Sequence, residues 1–98
     1  MSEIKLGILG GGQLGSMLSV AAKKLNIKTI IFSDDQESPA QNFCDEFIYS
    51  KYDDKHKVYD FAKKVDIITY EFENIPFETL NEMNKLKTVL PKPSVNRL

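Results

Sequence analysis

Ile4-Lys5-Leu6-Gly7-Ile8-Leu9-Gly10-Gly11-Gly12-Gln13-Leu14-Gly15 is the stretch whose reading decides the fold. Its first half is short and mostly apolar and runs into glycines, as a strand buried on both faces does. Its second half is a G-x-G-x-x-G turn, Gly10 to Gly15. From Leu14 within it, Met17, Leu18, Ala21, Ala22 and Leu25 follow at offsets of three, four, seven, eight and eleven. That spacing lays one apolar stripe along a helix, the side an amphipathic helix turns to its core, with Asn26 as its end. Strand, glycine turn and helix in this order form the opening unit of an open α/β sheet.

The rest of the chain repeats the alternation. Thr29-Ile30-Ile31-Phe32 reads as a second buried strand, stopped by Ser33-Asp34-Asp35. Ser38-Pro39 is expected to cap a short helix through Phe43. Phe47-Ile48-Tyr49 is a weaker third strand. Asp53 or Asp54 then caps a helix with Val58, Phe61, Ala62 and Val65 on its apolar face. Ile67-Ile68-Thr69-Tyr70 is a fourth strand, Phe77 to Leu86 a helix with Leu80, Met83 and Leu86 apolar, and Val89-Leu90 a fifth strand. Ser94 has the position of an N-cap. Such alternation means parallel strands joined by right-handed crossovers, with helices on both faces. The usual winding gives the order 3-2-1-4-5, so that strands 1 and 4 lie side by side where the winding reverses. Ligands bind there, beyond the carboxyl ends of the strands.

Three segments converge on that crevice. In the turn Gly10-Gly11-Gly12-Gln13-Leu14-Gly15, glycines let the backbone approach a ligand, and amides at the helix start favour an anion. A turn needed only for close packing is the alternative. Asp34 and Asp35 end strand 2, 19 and 20 residues after Gly15, where an acid can accept hydrogen bonds from ribose hydroxyls. A solvated turn is the alternative for each. Tyr70-Glu71-Phe72-Glu73-Asn74 leaves strand 4, and in extended backbone Glu71 and Glu73 share one side. Glutamates beside apolar rings suit hydrogen bonding to an amine or to sugar hydroxyls. Glu73 is the preferred contact because it lies further into the crevice; Glu71 and Asn74 are secondary, as are Gly10, Gly11 and Asp35.

Composition narrows the function classes. The hydrophobic fraction is 42%, enough for a core, and 13 basic against 14 acidic residues give a formal charge of −1. That balance argues against a nucleic-acid partner, which calls for a basic surplus on one face. The one cysteine, Cys44, rules out an internal disulfide, so a reducing, cytoplasmic setting is expected. No run approaches the ~20 apolar residues of a membrane span, and the first residues lack the pattern of a signal peptide. His56 stands among charged residues without a second ligand, so no metal site is expected. Cys44 lacks a basic neighbour, and Ser16 and Ser19 lack a partner histidine, so no catalytic residue is assigned within these 98 residues.

Taken together, Gly7 to Leu18 and Thr69-Tyr70-Glu71-Phe72-Glu73-Asn74-Ile75-Pro76 resemble the two signatures of the 5-(carboxyamino)imidazole ribonucleotide synthase family. Ala21 to Leu25, Ser38-Pro39-Ala40, Asp45-Glu46, Tyr52-Asp53-Asp54 and Pro91-Lys92-Pro93-Ser94 match as well, so the resemblance covers essentially the whole chain. It implies the Rossmann-like preATP-grasp domain of an ATP-grasp ligase of purine biosynthesis. Such an enzyme uses ATP, Mg²⁺ and bicarbonate to carboxylate the amino group of 5-aminoimidazole ribonucleotide, through carboxyphosphate, and commonly forms homodimers. The resemblance implies that residues 1–98 help bind the ribonucleotide through Gly12, Gln13, Leu14, Gly15, Asp34 and Glu73. ATP and Mg²⁺ would be held by ATP-grasp domains beyond Leu98, so this stretch alone is expected to be inactive and to bind neither. Ser16 departs from the family's usual Arg or Lys and removes any charged contact from that position.

The main rival is a nicotinamide-dinucleotide domain of a dehydrogenase or regulator, which shares the glycine turn and Asp34 but leaves the Tyr70 to Pro76 run unexplained. A non-catalytic nucleotide-binding module is the third reading. Formate-dependent glycinamide ribonucleotide transformylase shares a similar glycine loop but not the acid-aromatic-acid-Asn run.

Overall fold

The computed structural model describes residues 4–70 and 75–90. Five strands form one sheet: β1 (Lys5–Leu9), β2 (Lys28–Ser33), β3 (Glu46–Tyr49), β4 (Ile67–Tyr70) and β5 (Thr88–Val89). All neighbours are parallel and the order is β3-β2-β1-β4-β5, as the alternation predicts. The crossovers are α1 (Gln13–Lys24), a 3-10 turn (Pro39–Asn42), α2 (Lys55–Lys64) and α3 (Phe77–Leu86).

Alternation along the strands assigns the two faces. Leu9, Ile30, Phe32, Ile68 and Tyr70 point to one side, where Val58, Phe61 and Ala62 of α2 and Leu80 and Met83 of α3 cover them. Ile8 and Ile31 point to the other, against Ala40 and the half-buried Leu6, Leu18, Cys44 and Phe47. Asp54 caps α2 by accepting a hydrogen bond from Lys57 N–H at 3.2 Å, which settles the choice between Asp53 and Asp54. At the other end of α2, the Lys87 ammonium donates to the Ala62 and Val65 carbonyls, which the helix leaves without partners.

Several local expectations are corrected. The apolar stripe of α1 faces the sheet only in part: Ala22 is buried and Leu18 half-buried, but Leu14, Met17, Ala21 and Leu25 are exposed, and Gly15 and Ser19 are buried in their stead. Small residues let the helix axis come close to the strands, and this close approach prevails over burial of the larger side chains. Ser38 occupies the N-cap position of the 3-10 turn but makes no capping bond. Leu86 is exposed at 41%, and Thr79 takes its place on the buried side of α3, donating to the Tyr52 carbonyl at 2.7 Å. The fifth strand is shifted by one residue, with Leu90 outside it and exposed. Ser94 lies outside the described residues.

Candidate functional site

The site is built around the exit of β1. After Leu9 the chain must turn sharply to enter α1, and Gly10 does so with φ of 105°, a left-handed value that strains any residue with a side chain. Gly10 N–H donates to the Phe32 carbonyl at 2.8 Å, and the Gly11 carbonyl accepts from Ala40 N–H at 3.0 Å. The glycine turn is thereby tied to the segment that follows β2. Gly12 is the N-cap of α1 and brings no side chain to it, so the helix end is presented by backbone. Gln13 and Leu14 are exposed at this end, and Gly15 is buried on the sheet-facing side. Ser16 turns its hydroxyl back to the Gly12 carbonyl at 3.1 Å, so it reinforces the first turn and does not reach outward.

Strand register places the acids around this turn. Leu9 pairs with Phe32 of β2 on one side and with Tyr70 of β4 on the other. Asp34 therefore lies one residue past the end of β2, beside the glycine turn. Its carboxylate is exposed and has no hydrogen-bond or ion-pair partner among the described residues. Asp35 is different: its Oδ1 accepts from Glu37 N–H at 3.0 Å, so its carboxylate closes its own loop. The structure thus separates two aspartates that sequence treats alike. Glu71, Glu73 and Asn74 lie outside the described residues; the chain leaves β4 for them from Tyr70, beside Leu9.

The remaining expectations concern reactive groups. His56 is exposed in the first turn of α2. Cys44 is half-buried, and desolvation pushes its thiol above the ordinary range, which disfavours the nucleophilic thiolate. No three His, Cys, Asp or Glu side chains converge to hold a metal ion among the described residues. No helix among these residues is long and apolar enough to cross a membrane. A groove of about 580 Å³ runs between α2 and α3, lined by Tyr52, Val58, Tyr59, Phe77, Thr79 and Leu86. Asp53, Lys55, Glu78, Glu82 and Lys85 also line it.

Sequence reasoning missed one buried polar cluster, the hydroxyls of Ser33 and Ser38, each 2% exposed and 2.8 Å apart. Their polar character and their place at a strand end read as a loop, and nothing local in sequence says that two such serines meet.

Known proteins place this geometry. The chain is 44% identical over 75 residues to N5-carboxyaminoimidazole ribonucleotide synthase of Staphylococcus haemolyticus, covering 76% of this chain and 20% of that protein. It superposes on the ADP-complexed N5-carboxyaminoimidazole synthetase of Staphylococcus aureus with a TM-score of 0.89 and 32% identity, over 99% of this chain and 26% of the other. The Aspergillus clavatus N5-carboxyaminoimidazole synthase, in complex with ADP and 5-aminoimidazole ribonucleotide, gives a TM-score of 0.83 and 31% identity, over 97% and 26%. The chain thus spans about a fifth to a quarter of the length of these relatives. The family model of the ribonucleotide synthetase preATP-grasp domain matches residues 3–97, and the chain belongs to that family.

Proposed function

We propose that this chain supplies the ribonucleotide-binding domain of an ATP-grasp ligase that carboxylates 5-aminoimidazole ribonucleotide with ATP and bicarbonate. The observation that carries the reading is the glycine-capped N-terminus of α1, Gly12 to Gly15, beside Asp34, whose exposed carboxylate has no partner among the described residues, at the carboxyl edge of the sheet. A phosphate suits the backbone amides of the first, and ribose hydroxyls suit the second. Glu73, with Glu71 and Asn74 as secondary contacts, would meet the sugar or amine from the β4 side. Gly10, Gly11 and Asp35 shape the turn and its neighbour more than they touch ligand. ATP and Mg²⁺ would be held by polypeptide outside residues 1–98, and any homodimer would be a property of that longer assembly.

The test uses the polypeptide at its full natural length. Glu73→Gln keeps side-chain volume but removes a charge and an acceptor. A hydrogen bond to a charged group contributes about 1.5–3 kcal/mol, so kcat/KM for the ribonucleotide falls by roughly ten- to a hundredfold. The ATP parameters stay nearly constant. Equal losses for both substrates, or no loss, would overturn the assignment of Glu73. Residues 1–98 alone are expected to release no ADP in response to the ribonucleotide. Tight calorimetric binding of NAD or NADP would instead favour the dinucleotide reading.

A further inference from the structure

The Ser33 and Ser38 hydroxyls form a ring with a defined direction. Ser38 Oγ lies 2.7 Å from the Asp35 carbonyl, which can only accept, so the single proton of Ser38 goes there. At the 2.8 Å contact between the two hydroxyls, Ser33 must therefore donate to Ser38. Ser33 Oγ in turn accepts from Asp35 N–H at 3.1 Å. The path begins at the N–H of Asp35 and returns to the C=O of the same residue. It fixes the peptide planes on both sides of Asp35, including the one shared with Asp34.

Gly11 is packed against this ring. A Cβ at Gly11 would stand 2.5 Å from Ser38 Cβ and 2.6 Å from Ser38 Oγ, with Ser33 Cβ at 3.4 Å. Both serines are buried, so neither can swing away cheaply. The Ala40 N–H to Gly11 carbonyl bond and the Gly10 N–H to Phe32 carbonyl bond close the same seam from either end. Two loops that each carry half of the candidate site are thereby held at contact distance with no slack.

We propose that Gly11, Ser33 and Ser38 are positioning residues that set the spacing between the Gly12–Gly15 amides and the Asp34 carboxylate, a role that rests on the ribonucleotide-binding reading above. They touch no substrate. They fix how far apart a phosphate and a ribose can be gripped, so they control ribonucleotide affinity and leave ATP use alone.

Four variants of the full-length polypeptide test this: Gly11→Ala, Ser33→Ala, Gly11→Ala with Ser38→Gly, and Gly11→Ala with Ser38→Ala. Gly11→Ala pushes the loops apart and raises KM for 5-aminoimidazole ribonucleotide by roughly ten- to a hundredfold, with KM for ATP unchanged. Ser33→Ala barely changes volume, so it keeps the fold while opening the ring; its expected rise in ribonucleotide KM is roughly three- to tenfold. Ser38→Gly removes both atoms that the new methyl would strike and recovers part of the Gly11→Ala loss. Ser38→Ala leaves the 2.5 Å clash with Cβ in place and recovers nothing. Ribonucleotide KM within about twofold of wild type in folded Gly11→Ala and Ser33→Ala, or equal shifts for both substrates, overturns the positioning role alone. Rescue by Ser38→Ala as full as by Ser38→Gly also overturns it. Absence of ribonucleotide binding by the wild-type polypeptide, measured by calorimetry, sinks the function itself and the positioning role with it.

Discussion

The two faces of the sheet are built by different rules. On the α2 and α3 side, thirteen buried residues form one continuous cluster among the described residues, with Phe32 stacked at tilted angles on Phe61 and Tyr52 at 5.4 and 5.8 Å. On the α1 side, among the described residues, Ile8, Ile31 and Ala40 form the buried apolar cluster, and much of what else is buried is small or hydroxyl-bearing: Gly15, Ser19, Ala22, Thr29, Ser33 and Ser38. Large side chains fill volume and supply hydrophobic stabilisation, about 25 cal/mol per Å² of apolar surface buried. Small ones allow close approach of backbone to backbone, which is what the glycine turn and its neighbour need. Stability is thus concentrated on one face, and the candidate site is assembled on the other.

The largest expected effect breaks the first face. Phe61 is fully buried and touches the Phe32 ring, so Phe61→Ala leaves a cavity that nothing nearby can fill. The loss should be about 3–5 kcal/mol, measured as a lower midpoint in urea with an unchanged slope. A loss below about 1 kcal/mol would mean that this face does not dominate stability.

Gly7→Ala comes next and probes the same packing from the strand. Its Cβ would sit 2.7 Å from Phe61 Cζ and 2.9 Å from Val65 Cγ2. Overpacking of this kind costs about 1–3 kcal/mol. Phe61→Leu in the Gly7→Ala background should return part of that loss, because Leu lacks the ring edge that meets the new methyl. Strict additivity of the two substitutions in thermal unfolding would show that they do not meet.

These contrasts explain what sequence made legible. The alternation of elements and the bounds of α3 follow from periodicity and breakers, since Phe77–Leu86 lies between Pro76 and a β-branched pair, and the strand order follows from the usual winding of such sheets. The Asp54 cap was narrowed to two residues by residue type. The α1 side departs from the periodicity for a physical reason. Gly15 and Ser19 each follow a member of the expected apolar stripe by one position, roughly 100° round the helix, and of the stripe itself Ala22 is the member that is fully buried. Periodicity ranks faces by hydrophobicity, and a face selected for closeness carries little of it. The Ser33–Ser38 ring was hidden because it depends on the path of the loop between β2 and the 3-10 turn. Glu71, Glu73 and Asn74 are legible only as a motif.

Thr29 sharpens the comparison with the opposite sign. It is 1% exposed, alternates with Ile30 and Phe32 and so faces the α1 side, and its Oγ1 has no partner among the described residues. An unpaired buried hydroxyl is destabilising, and Val replaces it with a methyl of similar shape. Thr29→Val should therefore raise stability by about 1 kcal/mol. A destabilised Thr29→Val protein would mean that this hydroxyl finds a partner in solution.

The smallest effect is the most direct check on how α1 is rotated. Met17 is 60% exposed and Leu25 is 70% exposed, although both belong to the stripe that periodicity turns inward. If the helix sat as the stripe suggests, a charge at Met17 would be forced into the sheet contact at a cost of several kcal/mol. In the observed rotation a lysine at this position reaches solvent along its own stem. Met17→Lys should then change unfolding free energy by no more than about 0.5 kcal/mol. Ser19→Leu serves as the matched control. Ser19 is 1% exposed and its hydroxyl donates to the Gly15 carbonyl at 2.9 Å, so Leu there gains hydrophobicity but must push the helix off the strands. It should cost about 1–3 kcal/mol despite being the more apolar choice. Chemical denaturation of the two variants side by side decides the matter: a tolerant Ser19 and an intolerant Met17 would restore the stripe to the core and remove the close approach on which the site depends.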